Sequence, residues 1–240
     1  MKIEYDPPKK RQPVFALFKL IIRPFVRRPR VVVLGEKLQD GCMYIANHAN
    51  KMGPMIYSMF LPVYHVKWGA SQMLGSYKER FYYLRDVLYI QKNGSPHALA
   101  SFRAFFEAFF SAFVYKGMKM LPTYPDGRLA RTVKKTAELL ARDIAVMIFP
   151  EDSKNGYEEQ PQSFFPGFVL AAKTYAKQQG RDIPMRPVYY HKRKRLIVVG
   201  EAVTLSSLPS QKKEDVAEEL RLRVNGLCER ILSGEFDKIK

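Results

Sequence analysis

Short apolar runs alternate with stretches of helical period along most of this 240-residue chain, and that alternation constrains its fold more than any other feature. Runs at 31–34, 42–46, 145–149, 185–190 and 196–199, the last leading on to Val203, have the length and the β-branched or aromatic content of strands. Between them, 55–61 reads as a short helix and 132–141 spaces its apolar and basic positions at helical period. The 166–179 stretch gathers Phe168, Ala171, Ala172 and Tyr175 on one face. The 214–232 stretch repeats Val216, Leu220, Val224, Leu227 and Ile231 at three- and four-residue steps. Strands alternating with helices predict an α/β domain.

The length allows one large domain or two small ones, and a 47% hydrophobic content is enough for a sizeable core. Cys42 and Cys228 lie far apart with no metal-ligand spacing, so they read as buried apolar filler in a reduced, cytosolic setting. The net charge is +17, which draws a chain toward polyanions: nucleic acid, an anionic membrane face or an acidic carrier protein. Lys192, Arg193, Lys194 and Arg195 fall between two strand candidates as a hairpin tip. No zinc, helix-turn-helix or RNA-recognition signature accompanies them, so nucleic acid is an unlikely partner.

Two segments stand outside the alternation. Residues 1–13 read as a disordered basic lead without the layout of a signal peptide. The apolar stretch 14–26 is rimmed by Lys19, Arg23, Arg27, Arg28 and Arg30. It reads either as a membrane-interface segment or as a helix packed on the domain with solvated arginines. Residues 98–120 carry Phe102, Phe105, Phe106, Phe109, Phe110 and Phe113, interrupted only sparsely by Ser101, Arg103, Glu107 and Ser111. A helix apolar on nearly all sides belongs in a core or in lipid. Its charges argue against a bilayer span, so the core or an acyl-chain pocket is expected first and a membrane-dipping hairpin second. Arg103 and Glu107 are spaced to pair on it.

The chemistry concentrates at two strand ends. Ile45-Ala46-Asn47-His48-Ala49-Asn50-Lys51-Met52-Gly53-Pro54 reads as a strand end, a turn holding one histidine, and a helix start with Gly53 as cap and Pro54 at the first position. A histidine suits general-base work because its pKa lies near the working pH. Phe149-Pro150-Glu151-Asp152-Ser153-Lys154 follows a second strand candidate. Each feature alone also fits a plain structural turn.

Together these motifs resemble the glycerolipid acyltransferases of the lysophosphatidic-acid acyltransferase type. In that family an Asn-His pair is followed, five residues after the His, by Asp, and here Gly53 holds that place. Phe149-Pro150-Glu151 matches the family's Phe-Pro-Glu-Gly-Thr-Arg, with Asp152, Ser153 and Lys154 in place of its last three residues. Phe164-Phe165-Pro166-Gly167 resembles a helix start in the family, and Pro187-Val188 its closing strand. Met120-Leu121-Pro122-Thr123-Tyr124 resembles its acceptor block, with Pro125 where an arginine is usual. The resemblance covers about residues 40–205.

It implies a single acyltransferase-type α/β domain over 31–240, with a central mixed sheet flanked by helices, a Phe-rich helical insertion at 98–120, and a basic N-terminal segment over 1–30. It also implies acyl transfer from an acyl thioester, on acyl carrier protein or coenzyme A, to a lysophospholipid or related hydroxyl. The reaction would run at an anionic membrane surface on the cytoplasmic side, without metal or redox cofactor. His48 is the expected base, and Asp152 or Asn50 replaces the missing carboxylate that would orient it. Asn50, Glu151, Ser153 and Lys154 are expected at the acceptor, with Arg128 or Arg131 as further anion binders. The alternative is a pseudoenzyme that binds lipid or acyl carrier without turnover.

Overall fold

The computed structural model describes residues 13–118, 120–153 and 156–237, so most of the basic lead and Lys154 lie outside the described residues. Seven strands form one mixed sheet: β1 (Arg30–Val33), β2 (Met43–Ala46), β3 (His65–Ala70), β4 (Leu121–Thr123), β5 (Ala145–Ile148), β6 (Met185–His191) and β7 (Leu196–Val199). Their order is β1-β7-β6-β2-β5-β3-β4. The five strands from β6 to β4 are mutually parallel. β7 returns antiparallel from β6, and β1 lies parallel to β7. The turn between β6 and β7 is the Lys192–Arg195 tip expected from sequence. This is the mixed α/β domain that the sequence predicts.

β2, β5 and β7 are apolar at every position because both sheet faces are covered. Met43, Ile45, Val146 and Ile148 point toward α6 (Leu129–Leu140), α7 (Gly167–Gln179) and α8 (Lys213–Leu232), in the larger core. Tyr44, Ala46, Ala145 and Met147 point the other way, toward Ile56, Tyr57 and Leu61 in and just after α2 (Gly53–Phe60). Arg186 on β6 is only 2% exposed, yet its guanidinium is satisfied by the carbonyls of Leu34 (2.6 Å), Gly200 (2.9 Å) and Glu36 (3.0 Å). A buried charge needs such partners, and these tie the ends of β1 and β7 to β6. Cys42 and Cys228 are buried free thiols.

The long crossover from β3 to β4 holds α3 (Ser71–Leu74), α4 (Tyr77–Tyr82), a wide π-type helix (Tyr83–Lys92) and α5 (His97–Met118). Sequence reasoning expected the α5 phenylalanines in the core first, and the structure places them outside. Phe102, Phe105, Phe106, Phe109, Phe110 and Phe113 are 50–65% exposed. The inward face is Ala100, Ala104 and Ala108, whose four-residue steps pack against Leu84 and Leu88 of the π-type helix. Small side chains let the helices approach closely, and this turns the large rings outward. Glu107 pairs with Lys51 and the Tyr89 hydroxyl rather than with Arg103. By length and composition the 97–115 stretch is apolar enough to cross a membrane, and 22% of it is buried.

α1 (Pro13–Ile22) lies against α5, with Phe15 buried beside Gly117, Met118 and Met120. Its other side leaves Leu17, Leu20 and Ile21 exposed, and the next turn leaves Phe25 83% exposed. The packed face fits the reading of a helix on the domain, and the other face is open and apolar.

Candidate functional site at the carboxyl ends of β2 and β5

In open parallel sheets, ligand sites form where loops leave the carboxyl ends of the strands. β2 ends at Ala46, and Asn47 replaces its next ladder contacts with side-chain ones. Asn47 Oδ1 accepts from the Tyr190 amide (2.7 Å) and the Tyr57 hydroxyl (2.8 Å), while Nδ2 donates to the Tyr190 carbonyl (3.2 Å). The chain then turns tightly. Ala49 sits at φ +57°. The Asn50 amide donates to the His48 carbonyl at 2.6 Å, and Asn50 Oδ1 accepts from the Met52 amide at 2.7 Å.

Gly53 has a stronger reason than capping. A Cβ built on it would stand 1.8 Å from the His48 carbonyl oxygen. The cap position is Met52, and Gly53 is the first helical residue. Any side chain at 53, aspartate included, is sterically closed out while the turn keeps this shape.

The His48 ring is oriented by backbone. Nδ1 lies 2.6 Å from the Asn50 carbonyl oxygen. A carbonyl only accepts, so Nδ1 carries the proton and Nε2 keeps its lone pair. This is the tautomer that a carboxylate partner would impose. The ring stacks on Tyr157 (centroids 4.6 Å apart, 19° between planes) and tilts against Phe149 at 5.3 Å. Gly156, at φ +108°, holds a conformation suited to glycine just before Tyr157.

Glu151 comes from the adjacent parallel strand, and its Oε1 accepts the His48 backbone N–H at 2.7 Å. His48 and Glu151 keep some surface open, yet protein encloses both on most sides. Burial pushes His48 down to about 4, opposed by the Asn50 carbonyl and reinforced by Lys92. Burial pushes Glu151 up to about 7, opposed by the His48 N–H and by Lys92. At neutral pH His48 is an uncharged imidazole.

The two shifts give stability slopes of opposite sign. The folded state binds the Glu151 proton more tightly than the unfolded state does. That contribution is therefore full in acid and fades as pH rises toward about 7. The folded state binds the His48 proton less tightly, so its contribution is full at neutral pH and fades as pH falls toward about 4. Urea midpoints of wild type and Glu151→Gln, taken from pH 4.5 to 7, isolate the first term. The wild-type advantage over the variant shrinks as pH rises. Parallel curves would contradict the assignment.

Lys92, at the end of the π-type helix, was not anticipated from sequence. Its Nζ donates to Ser153 Oγ at 2.6 Å and sits 5.0 Å from the Tyr157 ring centroid. Burial lowers its pKa, and the charges of Glu151 and Asp152 raise it again. The structure thus gathers His48, Asn50, Glu151, Ser153 and Lys92. Asp152 bears electrostatically on Lys92, and its amide donates to the Ser163 carbonyl at 3.2 Å. The place at His48 Nδ1 is held by the Asn50 carbonyl, not by Asp152.

Arg128 and Arg131 stand apart from this group. They flank the start of α6 after β4, three strand positions from β2, or roughly 14 Å at ordinary strand spacing. Arg128 is exposed, pairs with Asp126 at 2.7 Å and covers the Tyr124 ring at 4.5 Å. Arg131 is exposed. Among the described residues, no group of three or more metal-ligating side chains converges.

No family model matches the chain. No curated protein matches it. Among solved structures it is similar to the 1-acyl-sn-glycerophosphate (LPA) acyltransferase PlsC from Thermotoga maritima, at 16% identity and a TM-score of 0.48 over 95% of this chain and 81% of that one. At that similarity the likeness assigns neither an activity nor a site.

The arrangement itself offers a neutral imidazole with an unprotonated Nε2, a cation and hydroxyl side by side at Lys92 and Ser153, and aromatic walls at Tyr157 and Phe149. Those are the parts needed to take a proton from a hydroxyl on an anionic, partly apolar substrate.

Proposed function

We propose that the chain is a membrane-surface acyltransferase. It moves an acyl group from a thioester, on acyl carrier protein or coenzyme A, to the hydroxyl of a lysophospholipid or related acceptor. The observation that carries this reading is the His48 ring, held by the Asn50 carbonyl with Nε2 unprotonated.

His48 Nε2 takes the acceptor's hydroxyl proton as the oxygen attacks the thioester carbonyl. The tetrahedral adduct then expels the thiolate, which takes the proton back from the imidazolium. Glu151 holds the His48 backbone and lends its charge when ionised. Lys92 and Ser153 receive the acceptor's anionic group, and the more distant Arg128 and Arg131 add positive charge to the approach. The thioester carries its own driving force, so no metal or redox cofactor is required. Mass spectrometry of product from palmitoyl thioesters and lysophosphatidate tests the reading directly.

The exposed faces of α1 and α5 support a peripheral position on an anionic cytoplasmic membrane. Their apolar side chains suit the acyl boundary, and Lys19, Arg23, Arg27 and Arg28 suit its headgroups. In vesicle flotation with anionic lipid, Phe105→Asp/Phe109→Asp/Phe113→Asp is expected to cut partitioning by more than about tenfold, because each ring loses an apolar contact worth roughly 1.5–3 kcal/mol when fully buried. High salt weakens what remains. Unchanged flotation would rule out α5 as the docking face.

One observation favours a second reading. With no carboxylate at Nδ1 and a pKa near 4, His48 is a weak base before substrate enters. A protein that binds its ligands without turnover would show flotation and ligand binding but no product under any donor.

A further inference from the structure

A second basic cleft opens on the opposite flank of the His48 turn. Lys92, Glu151 and Ser153 lie on the β5 side of β2, whereas this cleft lies on the β6 side. Its volume is about 470 Å³, within the range of small-molecule sites. Buried Ile56 and Tyr190 line it together with four cations: Arg27, Lys51, Lys192 and Arg195. Lys51 is paired with Glu107. Among the described residues, no carboxylate pairs with Arg27, Lys192 or Arg195.

Three exposed cations without a carboxylate partner among the described residues line one open cleft, an arrangement that attracts an anion. Apart from Asn50 and Tyr190, the rest of the lining is apolar. Met52 and Phe25 stand in it, and Phe25 follows α1 directly along the chain, where Leu17, Leu20 and Ile21 are exposed as well. A free inorganic anion would leave that part of the lining unused. A nucleic acid would need a long basic track, and a volume of about 470 Å³ has the size for a small molecule.

We infer that this cleft binds the phosphate of an acyl-chain amphiphile, with the phosphate among Arg27, Lys192 and Arg195 and the chain leaving past Met52 and Phe25 toward the apolar face of α1. The inference rests on the proposed acyl transfer for its choice of ligand, and places the two anionic substrates on opposite flanks of His48. The phosphate has two sources, the thioester donor and the lysophospholipid acceptor.

Calorimetric titration of the full chain distinguishes them, using octanoyl lysophosphatidate below its micelle concentration, octanoyl-coenzyme A, and inorganic phosphate. Arg27→Gln/Lys192→Gln/Arg195→Gln alters only exposed side chains, and its thermal midpoint checks folding. At least one amphiphile is expected to bind wild type more tightly than phosphate and to lose about tenfold or more in the triple variant. Loss confined to octanoyl-coenzyme A assigns the cleft to the donor, and loss confined to octanoyl lysophosphatidate assigns it to the acceptor and gives the Lys92 and Ser153 flank to the donor instead. Phe25→Ser is expected to weaken the amphiphile and leave phosphate unchanged.

No saturable binding of either amphiphile, or unchanged affinities in the folded triple variant, overturns the inference. Equal affinity for phosphate and both amphiphiles overturns it as well. His48→Ala is expected to keep the binding. If binding persists while no product forms in wild type, the cleft stands and the proposed activity falls.

Discussion

Replacing His48 with alanine is expected to lower acyl transfer about 10³-fold while leaving the fold and vesicle binding intact. General-base catalysis contributes on the order of 10²- to 10⁴-fold where the base is well positioned. This base is positioned from several sides. The Asn50 carbonyl fixes its tautomer, Glu151 holds its backbone, and Tyr157 and Phe149 fix the ring plane. Asn47 binds its neighbours independently of the ring, so the turn survives the substitution. Alanine leaves a space between Tyr157 and Phe149 shaped for a flat ring. Added imidazole is therefore expected to restore part of the rate in a saturable way. A His48→Ala protein as active as wild type would remove histidine from the chemistry.

The second large effect concerns Gly53. Restoring the aspartate of the resembling family looks like a repair in sequence, but the structure makes it an injury. The new Cβ would meet the His48 carbonyl at 1.8 Å, and the neighbour is backbone that cannot swing aside like a flexible side chain. Overpacking against flexible side chains costs about 1–3 kcal/mol, so about 3 kcal/mol or more is expected for Gly53→Asp. Gly53→Ala is expected to cost nearly as much, which separates shape from charge. Moving the His48 carbonyl also moves Asn50 and with it the ring's partner, so activity falls together with stability. Denaturant midpoints and transfer rates of both variants check this. A Gly53→Asp protein with a wild-type midpoint and a raised rate would show that the turn can open to admit a carboxylate.

The fold was largely legible because its middle strands are buried apolar runs, interrupted in β6 by Arg186 and His191, with nowhere else to go. Met43–Ala46, Ala145–Ile148, Met185–His191 and Leu196–Val199 fall where the pattern places them. β3 was not anticipated, because His65 and Lys67 interrupt its pattern even though both are buried. β4 was not anticipated because Pro122 sits in a three-residue edge strand. The start of α4 had a readable signal: Ser76 and Glu79 form a reciprocal cap three residues apart.

Within the site, His48, Glu151 and Ser153 follow strands and could be found from their motifs. Lys92 could not, because it ends a π-type helix that no periodicity announces and reaches Ser153 only through the folded crossover. The α5 rings were misplaced for a different reason. Composition shows that a helix is apolar, but only the alanine step at 100, 104 and 108 shows which side faces in.

The partner of His48 is a peptide carbonyl, and this changes how the site responds to mutation. A carboxylate partner can be deleted by one codon change and neutralised by acid. The Asn50 carbonyl is present whatever residue stands at 50, and it has no proton to gain in the working range. Selection on this pair therefore acts on the path of seven residues from Asn47 to Gly53, through Asn47, Asn50 and Gly53 together. A search of the chain for an acid paired with the histidine passes over a partner that is written in the shape of the turn.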